Sequence, residues 1–200
     1  MMVVAVVILA YLLGSLSFAV LVSRAFGLPD PRSHGSGNPG ATNMLRTGRK
    51  SAAVLTLLGD LAKGWLAVWL AGYFRSRYGL PEWVVYAAAI AVLLGHIYPV
   101  FFAFRGGKGV ATALGLLLAL SFWLGLICAL IWLTVFALTR VSSLAALTAA
   151  AAAPIVGYFL LGDVAAAAAL VLLTGLIFWR HKANIMRLLS GQEGRFVKPK

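Results

Sequence analysis

The chain has 200 residues, 62% hydrophobic and 11% charged, with a mean hydropathy of +0.96. A water-soluble domain is about half apolar and about a quarter charged, so a soluble enzyme, a disordered tail and a disulfide scaffold are excluded. The 17 Lys and Arg against 5 Asp and Glu give a net charge of +12. They gather in the gaps between apolar runs, which reads as positive-inside topology rather than as a nucleic-acid surface. With a lone cysteine, Cys128, and three scattered histidines, neither a protein metal site nor a cofactor is expected.

A helix needs about 20 residues to cross a hydrocarbon core of about 30 Å. Met2 to Ser23 carries no charge and is followed by Arg24. It lacks the basic start and cleavage site of a signal peptide, so it reads as a retained first helix. Arg24 to Lys50 is a Gly/Pro-rich loop, Ala52 to Phe74 a second span, Arg75 to Glu82 a connector and Trp83 to Phe104 a third span. After the basic turn Arg105 to Gly109, the 30 uncharged residues Val110 to Thr139 make two helices with a break near Ser121. Val141 to Trp179 is interrupted by Pro154 and by Gly162-Asp163 and also reads as two helices, before a basic tail Arg180 to Lys200.

The expected fold is therefore an all-α integral membrane protein, one domain over 1–200, with seven transmembrane helices. Its N-terminus lies outside and its C-terminus in the cytoplasm. That topology puts fourteen basic residues inside (Arg24, Arg32, Arg46, Arg49, Lys50, Arg105, Lys108, Arg140, Arg180, Lys182, Arg187, Arg195, Lys198 and Lys200) and only Arg75 and Arg77 outside.

Three polar clusters share the inner side. Gly35-Ser36-Gly37-Asn38-Pro39-Gly40-Ala41-Thr42-Asn43 combines glycines, whose backbone can turn N–H groups towards one point, with hydroxyl and amide donors. Arg46 and Arg49 follow it. The plain alternative is a flexible interhelical loop. Arg105-Gly106-Gly107-Lys108-Gly109-Val110-Ala111-Thr112 is not a Walker A loop, since Phe102 and Gly109 stand where that pattern needs Gly and Ser or Thr. It still places a Gly-flanked lysine at a helix start, suited to a phosphate monoester; the alternative is a topological anchor. In the third cluster His181, Asn184 and Arg187 are spaced three apart and share a helix face, with an interfacial basic helix as the alternative. Ser142, after Arg140, faces the same side.

Within the spans, Asp60 and Lys63 sit one turn apart, and intramembrane charges are functional candidates by default. His96 reads as a packing residue. No Ser-His-Asp triad or His-x4-Asp pair is present, and carboxylates are few. The inner surface suits phosphorylated substrates that need little base catalysis. A transporter of phosphorylated anions is the alternative function.

Together, GSGNPGATN at 35–43, GGKGVAT at 106–112 and HKANIMR at 181–187 resemble the three signature segments of the bacterial acyl-phosphate:glycerol-3-phosphate acyltransferases. The resemblance covers essentially the whole chain. It implies a phospholipid-synthesis enzyme of the bacterial inner membrane whose active site faces the cytoplasm. The enzyme would move an acyl chain from acyl-phosphate to the 1-hydroxyl of sn-glycerol 3-phosphate, releasing lysophosphatidic acid and phosphate. The catalytic set it implies is Ser36, Asn38, Thr42, Asn43, Lys108, His181 and Asn184. Substrate binding would fall to Gly35, Gly37, Gly40, Arg46, Arg49, Gly106, Gly107, Gly109, Thr112, Ser142 and Arg187. The partners are the two small-molecule substrates and membrane lipid, with no nucleic acid. The GGKG segment would hold glycerol 3-phosphate and the GSGN loop the acyl-phosphate, whose own phosphate would take the hydroxyl proton.

Overall fold

The computed structural model describes residues 1–195, so the tail lysines Lys198 and Lys200 lie outside the described residues. Among the described residues the chain is all helix and loop. The first apolar run is broken: α1 (Met2–Gly14) and α2 (Phe18–Ala25) meet at 44°. The break follows from serine chemistry, because Ser15 Oγ turns back to the Tyr11 carbonyl at 2.9 Å and accepts Val100 N–H at 3.3 Å. A long loop and the single turn α3 (Ala41–Leu45) lead to α4 (Lys50–Tyr78), which a left-handed Gly79 (φ 63°) stops. α5 (Trp83–Ile97) continues into a 3₁₀ turn at Val100–Phe102.

The break expected near Ser121 is present. α6 (Val110–Leu120) stops there, and Ser121 Oγ caps α7 (Phe122–Thr139) by accepting Leu124 N–H at 3.4 Å. With 11 residues α6 is about 16 Å long, too short to cross the core alone. The break at Gly162-Asp163 is present too: Gly162 is left-handed (φ 63°), and Asp163 caps α9 (Val164–Arg180) through Ala165 N–H at 2.9 Å. The interruption expected at Pro154 is absent, and α8 (Ser142–Leu161) runs straight through it. Proline there orphans the Ala150 carbonyl one turn back, and Thr174 of α9 fills the gap, its hydroxyl donating to that oxygen at 2.7 Å. A membrane helix tolerates proline where a neighbour re-satisfies the freed group. α10 (Lys182–Leu189) turns off α9 by 67°.

Among the described residues four helices are long and apolar enough to cross a membrane, or up to six if each bent pair counts as one span. The bundle is held by backbone contact at small residues, as helix pairs in lipid require. Gly14 lies on the Val92 backbone and Gly95 on that of Tyr11 and Ser15, so α1 and α5 touch. Gly64 lies on Thr112 and Gly115 on Leu61, which joins α4 to α6. At the end of the bundle away from the three polar clusters, Trp69, Tyr73, Tyr86, Leu120, Leu161 and Asp163 line a cavity of about 570 Å³. The end of α4, the start of α5, the ends of α6 and α8 and the start of α9 therefore share one side. The polar clusters gather at the other.

Candidate active site

The first cluster organises itself locally. Gly35 and Gly37 take left-handed φ values of 58° and 66°, which lets the chain curl around the Asn43 side chain. Asn43 is buried: Oδ1 accepts Ser36 N–H at 3.0 Å, and Nδ2 donates to the Pro31 and His34 carbonyls at 2.8 and 3.1 Å. The Asn43 amide is thus committed to shaping the loop. That leaves Ser36 exposed, Asn38 and Gly40 half-buried, and Arg46 exposed at the end of α3 with its stem against Gly35. Arg32 fastens this loop to the next segment by donating to the Phe102 carbonyl at 3.3 Å.

The second cluster is held from outside itself. Gly107 N–H donates to the His96 carbonyl at 3.2 Å, and the Gly107 Cα lies against the His96 ring and the Pro39 carbonyl. Gly106 is pressed on the His96 and Ile97 carbonyls. Arg180 of α9 grips the opposite side, Nε to the Gly107 carbonyl at 3.2 Å and Nη2 to the Gly106 carbonyl at 3.1 Å. Gly109 (φ 84°) then starts α6.

Lys108 is left to reach across the bundle. Its Nζ donates to Asn184 Oδ1 at 2.6 Å. Asn184 Nδ2 donates to Glu193 Oε1 at 2.5 Å, which also accepts the Ser143 hydroxyl at 2.5 Å; Arg187 Nε reaches Glu193 Oε2 at 2.7 Å. Thr42 Oγ1 and Ser142 Oγ, 3.5 Å apart, tie the first loop to α8. His181 closes the group at the α9–α10 bend, its ring nitrogen Nδ1 2.8 Å from the Ile177 carbonyl. That contact fixes the proton on Nδ1 and leaves Nε2 as an acceptor.

The electrostatics of the group are dominated by its cations. Burial pushes Lys108 down to about 8, Glu193 opposes this, and Arg187, Arg180 and Arg46 add to it. Lys108 thus sits in the field of three arginines, which Glu193 partly offsets. Burial also pushes His181 down to about 4, so the ring is neutral at pH 7. Burial works against the Glu193 carboxylate, but the hydrogen bonds from Ser143, Asn184 and Arg187 outweigh it and hold its pKa below the ordinary value.

Of the expected residues, the structure thus brings together Lys108, Asn184, Arg187, His181, Thr42, Ser142 and Arg46 with the two glycine loops. Two stand apart. Thr112 is fully buried with its hydroxyl 3.1 Å from His96 Nδ1, and Arg49 is exposed at the start of α4. Sequence reasoning gave no site role to Glu193 or Arg180, and placed Ser143 beside Ser142 on the inner side without a partner. Glu193 carried a signal, as the sole acidic residue in the basic tail from Arg180 to Lys200.

Comparison with known proteins bears directly on this site. The family model for glycerol-3-phosphate acyltransferase matches residues 4–191, from the first span through all three clusters. The chain belongs to the glycerol-3-phosphate acyltransferase family. A glycerol-3-phosphate acyltransferase of Methylobacillus flagellatus is 62% identical over 192 residues, 96% of each chain. One of Paraburkholderia phymatum is 59% identical over 190 residues, covering 95% of this chain and 90% of its own. Among solved structures, PlsY, an integral membrane glycerol 3-phosphate acyltransferase in its glycerol 3-phosphate form, superimposes with a TM-score of 0.91 at 40% identity over 98% of this chain and 96% of its own. Its lysophosphatidic acid form gives a TM-score of 0.89 at 38% identity, covering 99% and 97%. The polar cluster accordingly sits in an integral membrane acyltransferase, and family membership decides for an enzyme over an anion transporter.

Proposed function

We propose that this acyltransferase takes its acyl chain from acyl-phosphate and delivers it to the 1-hydroxyl of sn-glycerol 3-phosphate, releasing lysophosphatidic acid and phosphate. The observation that carries the reading is Lys108, set between two glycine loops in the electrostatic field of Arg46, Arg180 and Arg187. Glycerol 3-phosphate and acyl-phosphate each bring up to two negative charges, and a site with four cations against the single carboxylate of Glu193 is suited to the pair. A thioester donor brings no charge to the reacting carbonyl. PlsY has been solved in a glycerol 3-phosphate form and a lysophosphatidic acid form, which supports the same acceptor and product here.

In this reading Lys108 binds the glycerol 3-phosphate phosphate, and Asn184 and His181 Nε2 orient the glycerol. Ser36, Asn38, Thr42 and the backbone of the loop that Asn43 shapes hold the acyl-phosphate, with Arg46 beside it. Two phosphorylated substrates fixed side by side turn a bimolecular encounter into a positioned attack. Acyl-phosphate is a mixed anhydride, so the C–O bond to phosphate breaks readily once charge on the leaving oxygen is neutralised.

The hydroxyl attacks the acyl carbonyl, the new ester bond forms, and the hydroxyl proton passes to the departing phosphate. The structure's own bases are poor ones: His181 is lowered to about 4, and the Glu193 oxygens already accept three hydrogen bonds. That weakness supports a proton route through the substrate.

The bundle ends support seven passes with the site in the cytoplasm. The first run leads to the site end, α4 away, α5 back, α6 away, α7 back, α8 away and α9 back. The site end carries the basic excess of a bacterial inner-membrane protein. α6 is seven residues shorter than α7, 11 against 18, a difference of about 10 Å that favours a recessed Lys108 turn. That depth lets an acyl tail stay in the bilayer while its phosphate reaches Lys108. The deciding experiment gives the purified protein glycerol 3-phosphate with palmitoyl-phosphate or palmitoyl-CoA. Lysophosphatidic acid and phosphate in equal amounts from palmitoyl-phosphate alone support the reading; product from palmitoyl-CoA refutes the donor.

A further inference from the structure

Directly beneath the Gly106–Lys108 turn lies a set of charges that the chemistry above does not use. Asp60 and Lys63 of α4 form an ion pair at 2.8 Å with side chains only 3% and 2% exposed. Charges at such depth are costly and are kept where they serve a site. A pair at this helical spacing could be satisfied on one helix, yet both residues reach beyond it. Lys63 Nζ donates to the Leu16 carbonyl at 2.7 Å, the oxygen exposed by the α1–α2 break. Asp60 Oδ1 lies 3.6 Å from His96 Nδ1, which shares a 3.1 Å hydrogen bond with Thr112 Oγ1.

His96 is where this set meets the active site. It stands in the last turn of α5, its carbonyl accepts Gly107 N–H at 3.2 Å, and its ring is so close to the Gly107 Cα that a Cβ would overlap Nε2. Arg180 holds the same peptide groups from the other side. The turn is therefore clamped between a guanidinium and an imidazole, and Lys108 is the next residue. An apolar side chain could fill the His96 space, but only a polar ring lets the Thr112 hydroxyl fix its rotation, and with it the height of the Gly107 peptide; the Asp60 carboxylate, 3.6 Å away, biases the same nitrogen.

We propose that Asp60, Lys63 and His96 form a buried positioning unit that sets the Gly106–Lys108 turn and so aims Lys108 at glycerol 3-phosphate. This rests on the reading that Lys108 holds that substrate. The unit touches no substrate itself. Through Leu16 it also fixes the broken helix that leads into the first glycine loop.

The test uses the double variant Asp60→Asn/Lys63→Met, which leaves no uncompensated buried charge, together with His96→Asn and Lys108→Ala. For the double variant and His96→Asn, KM for glycerol 3-phosphate rises about tenfold, while kcat and KM for palmitoyl-phosphate stay within about threefold. The alkaline limb of kcat/KM for glycerol 3-phosphate also moves up by about one pH unit, because Lys108 in a loosened turn is better hydrated. The other charged and titratable groups facing Lys108, namely Arg46, Arg180, Arg187, Glu193 and His181, are untouched in these variants. A purely structural role would lower the unfolding temperature and leave that limb in place. Wild-type KM and an unmoved limb in the folded variants, with Lys108→Ala still raising KM, overturn the positioning unit. If Lys108→Ala leaves KM unchanged, the assignment of the turn to glycerol 3-phosphate is what fails. If the double variant does not fold, His96→Asn alone decides between these outcomes.

Discussion

The two glycine loops at the site reach a similar task by opposite routes. The loop at Gly35–Asn43 is built from within: left-handed glycines wrap one asparagine, whose amide satisfies backbone groups at Pro31, His34 and Ser36. The turn at Gly106–Lys108 has its main supports elsewhere, His96 on α5 and Arg180 on α9, with Asn184 on α10 receiving its lysine. A locally built loop keeps its shape as long as its own residues are intact. A turn clamped from a distance inherits every shift in the helix packing around it.

This contrast orders the expected effects. Lys108→Ala removes the cation at the centre and lowers kcat/KM for glycerol 3-phosphate by about 10²- to 10³-fold, mostly through KM, with a much smaller change in the palmitoyl-phosphate requirement. Steady-state kinetics with each substrate varied would show it; equal effects on both would undo the assignment. Gly107→Ala drives a Cβ into the His96 ring, and displacing the turn by about an ångström costs about 10²-fold in kcat/KM. Asn43→Ala unpairs three backbone groups in the first loop and lowers kcat/KM for palmitoyl-phosphate by about 10-fold to 100-fold. KM for glycerol 3-phosphate then changes little, whereas an equal rise in both KM values would mean that the loops are one unit. Outside both loops, Thr174→Val orphans the Ala150 carbonyl again. It costs about 1 kcal/mol, read as a fall of a few degrees in unfolding temperature with activity unchanged.

The same contrast explains what could be read from the sequence. Breaks made by local chemistry were legible, because Ser121 and Gly162-Asp163 carry their capping and left-handed preferences wherever they occur. Pro154 misled because its cost is cancelled by Thr174, on the next helix, and no local pattern encodes that pairing. At the site, the glycine-rich segments and the His181–Arg187 face announced themselves by composition. The roles of Glu193 and Arg180 were not legible, since one works through Ser143, Asn184 and Arg187 and the other through backbone carbonyls of a distant turn, although Glu193 stood out as the lone acid of its tail. The shortness of α6, by contrast, was legible, because a break near Ser121 after a start at Val110 leaves only about three turns.

The most direct test of Lys108 as the group that holds glycerol 3-phosphate is the pH dependence of kcat/KM for that substrate in the wild type and in Lys108→Arg. Lys108 is lowered to about 8, so its ammonium, and with it the affinity for the phosphate, is present below that pH and lost as pH rises through it. The guanidinium of the variant stays charged across the range. The account predicts a wild-type decline centred near pH 8 that is absent from Lys108→Arg, whatever its overall activity. A decline at the same pH in the variant would contradict it, since the titrating group would then be one other than Lys108.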